Sequence, residues 1–280
     1  MIIPNRSDEH SLTLQQWMAN RSLTAVMQET EQQIKLSPTD PAQRWLLFQL
    51  LCLQGDWQRA LKQLQTCAQM QSGFEQQAHA YRGLITCELY RQECFAGRKR
   101  PGFIQQQPAW VDQLLDAITQ NYSGDEVQAD EIRETALSST KDVSGTVEPG
   151  GTFAWIADSD TWLGPTVELV IGGIYTWLPF EQIRFISSEP PKTILDLIWK
   201  PAQLTLKDGS EHPAFLLARY CGSESAGEPL MLCRETIWQE HGKTSVRALG
   251  QKTWQTDRGD MGILEITSYT FETDREATHG

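Results

Sequence analysis

Apolar positions recur near every 3.6 residues through the first half of the chain and switch to short alternating runs in the second half, so helices are expected first and strands after. The densest stretch is Pro41 to Met70. Its first part, Ala42 to Leu53, is apolar almost all round and predicts a helix covered on more than one side. Gly55 is placed to end it in the left-handed conformation, and Asp56 to cap a second helix carrying Ala60, Leu61, Leu64, Cys67 and Ala68 on one stripe. Before this hairpin, Leu14, Trp17 and Met18 predict a short helix, and Leu23, Val26, Met27, Thr30 and Ile34 a longer one. A shift of 34 residues lays Leu23 on Trp57, Val26 on Ala60, Met27 on Leu61 and Thr30 on Leu64, the length of a tetratricopeptide repeat.

Further helices are expected over Phe74 to Ala96, stopped by Gly97 and Pro101; from Pro108, with Trp110, Leu114, Leu115 and Ile118 on one face; and over Asp125 to Ser138. Residues 138–151 are rich in Ser, Thr, Gly and Pro and carry no helical stripe. Beyond them the period becomes two. Thr166 to Ile171 and Ile174 to Leu178 flank Gly172-Gly173, and Ala202 to Leu206 and Pro213 to Ala218 flank Asp208-Gly209, both hairpin signals. Ile183 to Ile186, Leu230 to Leu232, Gly250 to Thr256 and Ile263 to Thr267 are read as further strands, and Thr193 to Leu197 as a helical turn. The expected architecture is α+β: a tetratricopeptide-like helical domain over 1–140, a linker over 141–151, and a small strand-rich, barrel-like domain over 152–280.

Composition narrows the function classes. The net charge is −12; residues 1–150 carry 13 basic and 18 acidic side chains and residues 151–280 carry 11 and 18, so both halves repel a phosphate backbone and nucleic acid is not an expected partner. The one dense basic cluster, Arg98-Lys99-Arg100, is read as cations at a helix C-terminus. No run of 18 apolar residues and no secretory leader is seen, so the expectation is a cytoplasmic chain without a membrane span. The six cysteines form no C-x-x-C pair and the five histidines no metal-ligand spacing; buried small hydrophobes account for the former, and no cofactor or metal is expected.

Two readings compete for the chemistry. Asp158, Asp160 and Glu168 lie close in sequence, and such carboxylates serve acid–base or metal-assisted hydrolysis. Asp-Ser-Asp before Gly-Pro is also the composition of a turn, and neither a histidine base nor a glycine-rich phosphate loop lies nearby. Against catalysis stands binding. Trp45, Trp57, Trp155, Trp177 and Trp199 sit in core patterns, whereas Trp17 and Trp110, near helix starts, are expected to be partly exposed. A helix-in-groove site lined by Trp17, Trp45, Phe48, Leu51 and Tyr81 is the expected binding surface, because the Ala42 to Leu53 helix is more apolar than one core face needs. A helical scaffold with some other partner is the third alternative.

Five segments carry a family resemblance: Phe48 to Leu64, Phe95 to Phe103, Pro108 to Ile118, Trp155 to Ile183 and Leu197 to Gly209. They resemble the ImpE, or TagJ/SciE-type, accessory proteins of bacterial type VI secretion systems, with the Trp155 to Pro165 segment and the run Trp177-Leu178-Pro179-Phe180 the most specific. The resemblance implies a non-enzymatic cytoplasmic accessory of the contractile sheath. Its implied partner is an N-terminal helix of the small sheath subunit, with a role in sheath stability or in recycling by the disassembly ATPase.

Overall fold

The computed structural model describes residues 22–272; the expected helix around Leu14 and Trp17 lies outside them. The helical half runs α1 (Leu23–Leu36), α2 (Pro41–Gln54), α3 (Trp57–Met70), α4 (Glu75–Phe95), α5 (Ala109–Ser123) and α6 (Glu126–Ser138). Each helix from α1 to α4 packs on the next, as a chain of helical hairpins does, and α5 packs on α6.

Local chemistry sets the boundaries. Ser22, Asp40, Asp56 and Asp125 each accept a hydrogen bond from a first-turn amide of the helix that follows. Gly55 ends α2 at φ 72°, and a Cβ there would lie 2.7 Å from Cγ of Glu224, so a side chain is barred by conformation and by space. The basic cluster is not a helix cap. Arg98 grips the Glu93 carboxylate with Nε and Nη2 and donates from Nη1 to the Tyr122 hydroxyl, while Arg100 pairs with Asp112 and Asp116, tying the end of α4 to α5.

The second half is antiparallel throughout. Its main sheet has eight strands in the order β2 (Gly151–Phe153), β1 (Gly145–Glu148), β13 (Ser268–Phe271), β6 (Ile183–Ser188), β7 (Trp199–Leu206), β8 (Glu211–Leu217), β4 (Thr166–Ile171) and β5 (Ile174–Pro179). A second sheet orders β12 (Gly259–Gly262), β11 (Thr253–Thr256) and β3 (Ile156–Asp158); β9 (Thr236–His241) and β10 (Ser245–Gly250) form a two-stranded ribbon. The eight-stranded sheet ends in two edges, β2 and β5, so it is barrel-like without closing.

Four expectations change. The 141–151 linker contains β1, which pairs with both β2 and β13 because Val147 alternates inward with its exposed neighbours. Leu230 to Leu232 is no strand: Pro229 sits at the first turn of a short helix, α7 (Glu228–Met231). Gly250 to Thr256 breaks in two at Gly250, whose φ of 98° ends β10 before β11 begins. Ile263 to Thr267 is a connection between β12 and β13 in which Ile263 and Ile266 are buried and Glu265 is exposed.

Two cores lie on opposite faces of the large sheet. One joins the helices to Val170, Tyr175, Trp177, Trp199, Phe215 and Leu217. The other packs Val167, Leu169, Leu178, Leu204 and Leu216 against Trp254, Tyr269 and Phe271. Neighbouring residues of β4 alternate between the two, as a strand covered on both faces requires.

Candidate functional site

The expected helix groove is not open where it was placed. Trp45, Phe48 and Leu51 are each 0 % exposed. Trp45 packs on Phe48 and Phe74, and Tyr81, half-buried, lies across Trp45, Phe48 and Trp199. The α2 helix is apolar all round because α1, α3, α4 and the turns at 194–197 and 223–225 cover it. Its surplus of apolar residues therefore fills a core shared with the strand half, not a partner's groove. Trp17 lies outside the described residues. Trp110 is buried at 6 %, since its Pro-led helix lays that face on the core. Trp155 is half-buried, whereas Trp57, Trp177 and Trp199 are core.

The three carboxylates also have a different use. Glu168 faces the helices from β4 and is 0 % exposed. Arg91 of α4 holds it with Nε to Oε1 and Nη2 to Oε2, both 2.7 Å. Lys252 Nζ lies 2.7 Å from Oε2, and the Tyr175 hydroxyl donates to Oε1 at 2.6 Å. Lys252 also reaches Asp158 Oδ2 at 3.0 Å, whose Oδ1 accepts from the Tyr220 hydroxyl and the Asp160 amide. Asp160 accepts from Arg247 Nε at 2.9 Å and from the amides of Trp162 and Ala248. On the helical side, Glu88 neighbours Arg91 and accepts from the indole of Trp199.

The result is a line of alternating charge, Glu88, Arg91, Glu168, Lys252 and Asp158, running from α4 through the sheet. Burial alone would push Glu168 up, but Arg91 and Lys252 together hold it down to about 2. Burial dominates at Asp158, and its carboxyl is pushed up to about 6 despite Lys252. A hydrolytic carboxylate needs an approach to substrate or metal. These three are under the surface and paired with the chain's own cations: Glu168 ties the strand half to α4 through Arg91, while Asp158 and Asp160 pair with Lys252 and Arg247 inside the strand half. Among the described residues no group of three or more His, Cys, Asp or Glu is arranged to hold a metal.

What the sequence hid is the cationic side of this junction, because Arg91, Arg219 and Lys252 occur singly on different elements. Arg219 donates to the carbonyls of Leu53 and Cys52 at the end of α2 and to that of Met231. The Cys52 carbonyl also accepts from the Gly55 amide, so it is the Leu53 carbonyl, at the open end of the helix, that Arg219 chiefly satisfies.

The open apolar surface lies elsewhere. A cleft of about 260 Å³ separates α4 from the β4–β5 hairpin, lined by Thr86, Cys87, Tyr90, Pro101, Ile174 and Tyr175, with Arg100 and two glycines completing it. Ile174 at the hairpin is 61 % exposed, and Tyr90 on α4, exposed as well, shares the cleft with it. The cleft is built from the segment after α4: Gly102 donates to Tyr175 O and accepts from Trp177 N, pinning 101–103 along β5, and Cys87 Sγ contacts Gly173 O. A Cβ at Gly102 would lie 2.9 Å from Ile174 Cγ2, so this approach needs glycine. The sequence signal was present in Phe95 to Phe103, but nothing in it told which strand the segment meets.

Comparison with known proteins adds to this geometry. The family model described as ImpE protein matches residues 150–270. The type VI secretion system accessory component TagJ of Pseudomonas aeruginosa is 34% identical over 251 residues, covering 89% of this chain and 88% of that protein. The crystal structure of protein VPA1032 from Vibrio parahaemolyticus superposes with a TM-score of 0.83 at 22% identity, over 90% of this chain and 95% of that one, a likeness of fold.

Proposed function

The chain belongs to the ImpE family, and from that premise we propose that it is a non-enzymatic cytoplasmic accessory of a type VI secretion system that holds an amphipathic helix of the small sheath subunit. The secretion role follows from the relation to TagJ. The helix-binding role rests on one observation: the apolar cleft between α4 and the β4–β5 hairpin, with Tyr90 and Ile174 at its rim. An incoming helix needs a concave apolar strip that takes side chains at i, i+3, i+4 and i+7. Its anchors should be aromatic or aliphatic groups seated between the α4 face and the hairpin tip.

The test is calorimetric titration of the full chain with a peptide of the small sheath subunit's N-terminal helix, beside a scrambled peptide. Saturable binding to the true sequence, lost in Ile174→Lys, is the expected result. Equal binding to the scrambled peptide, or undiminished binding by the variant, would remove the cleft from consideration. Failure of the parent protein to bind either peptide would overturn the sheath-helix reading itself.

A further inference from the structure

The β9–β10 ribbon leaves one strand edge unpaired. Three residues of β10 turn their backbone away from β9. Val246 N donates to the Thr161 hydroxyl and its carbonyl accepts from Thr161 N; Ala248 N donates to Asp160; Gly250 N donates to Ser223 and its carbonyl accepts from Tyr220 N. Their partners across the ribbon are Glu240, Trp238 and Thr236. In an antiparallel ladder these are the non-hydrogen-bonded pairs, so the N–H and C=O of Thr236, Trp238 and Glu240 point outward along the free edge of β9. None of these backbone groups meets a partner among the described residues.

Both edges of the eight-stranded sheet are blunted. β2 is three residues long, and β5 is covered by the strap at Gly102. β9 runs six residues in unbroken register and contains neither lysine nor proline, the usual guards of an edge. It exposes Ile237 at 38 % and Trp238 at 45 %. Glu235 precedes it and Glu240 lies within it, both exposed. The ribbon is firmly mounted, since Asp130 of α6 accepts from the amides of Lys243 and Thr244 in its turn.

We propose that β9 is a docking edge for an extended, basic segment of a partner protein, which adds as a third strand to the ribbon. Three outward backbone pairs would supply the ladder, and Ile237 and Trp238 would receive apolar side chains on alternate faces. Charge selects the occupant. Arg234 and Arg247 are paired with Glu228 and Asp160, so among the described residues the ion-pair-free charges of the ribbon are Glu235 and Glu240 against Lys243; on a chain of net charge −12 this favours lysine- or arginine-bearing strands and disfavours a second copy of this chain. This site is separate from the α4 cleft and does not depend on the sheath-helix reading.

The experiment uses the full chain and synthetic peptides of alternating valine and lysine, or alternating valine and glutamate, read by calorimetry and by amide hydrogen exchange. Only the basic peptide is expected to bind, slowing exchange at 236–240 by at least about tenfold, as new ladder hydrogen bonds do. Trp238→Pro, which deletes an outward N–H, should abolish binding, and Glu240→Lys should weaken it about fivefold, the scale of one rim charge. Should the proline variant unfold, the lysine variant and the exchange map decide the matter. Binding of the acidic peptide equally well, or protection away from 236–240, would overturn the proposal. So would concentration-dependent protection of β9 in the free protein, which would make a second copy the occupant.

Discussion

Arg91 and Glu168 stand 77 residues apart in sequence, on a helix and on a strand, and meet as a two-pronged ion pair with both contacts at 2.7 Å. Neither side chain is more than 1 % exposed, and the pair lies where the helical half rests on the sheet. Removing one partner of such a pair leaves a buried charge uncompensated, which costs about 3–5 kcal/mol. Arg91→Met should therefore lower the unfolding free energy by that amount, read from the shifted denaturant midpoint at unchanged slope. Arg91→Lys should recover only part of the loss, because an ammonium cannot make the two-pronged contact. A variant with wild-type stability would show that the halves are joined by apolar packing alone.

The same network sets a pH signature. Asp158 titrates at about 6 when folded, above its ordinary value of 3.8, because burial penalises its charge. The folded protein then binds the proton more tightly than the unfolded chain, so this group favours folding at low pH and loses that effect as pH rises from about 4 to about 6. Glu168 acts oppositely: its folded value of about 2 lies below 4.5, so its contribution is present above about 4.5 and is lost as pH falls toward 2. Parent and Asp158→Asn proteins compared by chemical unfolding should diverge between pH 4 and 6, the parent losing on the order of 1–3 kcal/mol relative to the variant as pH rises. A flat difference over that interval would refute the assignment.

Core and rim should separate cleanly under mutation. Phe48→Ala removes a ring at 0 % exposure in contact with Trp45 and Tyr81, and should cost about 3–5 kcal/mol. Ile174→Lys changes a residue that is 61 % exposed and should alter stability by no more than about 0.5 kcal/mol. Thermal or denaturant unfolding of the two variants checks both values. The second result matters most, since it lets lost peptide binding be read as a lost contact.

Arg219→Met should cost about 2–4 kcal/mol, because the carbonyls of Leu53 and Met231 lose their donor inside the protein while that of Cys52 keeps only the Gly55 amide. Hydrogen exchange should show the last turn of α2 opening first. Unchanged protection there would mean that another group replaces the guanidinium.

Much of the scaffold was legible because it is written locally. Gly55 and Asp56 announce a helix end and a helix start within two residues, and Gly172-Gly173 and Asp208-Gly209 mark hairpins that form as read. The site was less legible because its chemistry is non-local. Asp158, Asp160 and Glu168 look like a reactive cluster until Arg91, Arg247 and Lys252 arrive from distant elements. The apolar surplus of α2 misled for the same reason: the strand half covers it, and periodicity within one helix cannot tell a core partner from a foreign one. β9 gave no strand signal because its apolar residues, Ile237 and Trp238, are adjacent and exposed, without the inward alternation that marks a half-buried strand.

The arginine beneath α2 also sets an order of events during synthesis. Leu53 leaves the ribosome 166 residues ahead of Arg219, the side chain that satisfies its carbonyl. At bacterial elongation speeds that interval is roughly 10–30 s. For that time the nascent helices carry an apolar flank and an unmet Leu53 carbonyl facing the space the sheet will occupy. The two halves are thus made in sequence but finished together, and the exposed flank of the first is what a ribosome-associated chaperone would shield until the second arrives.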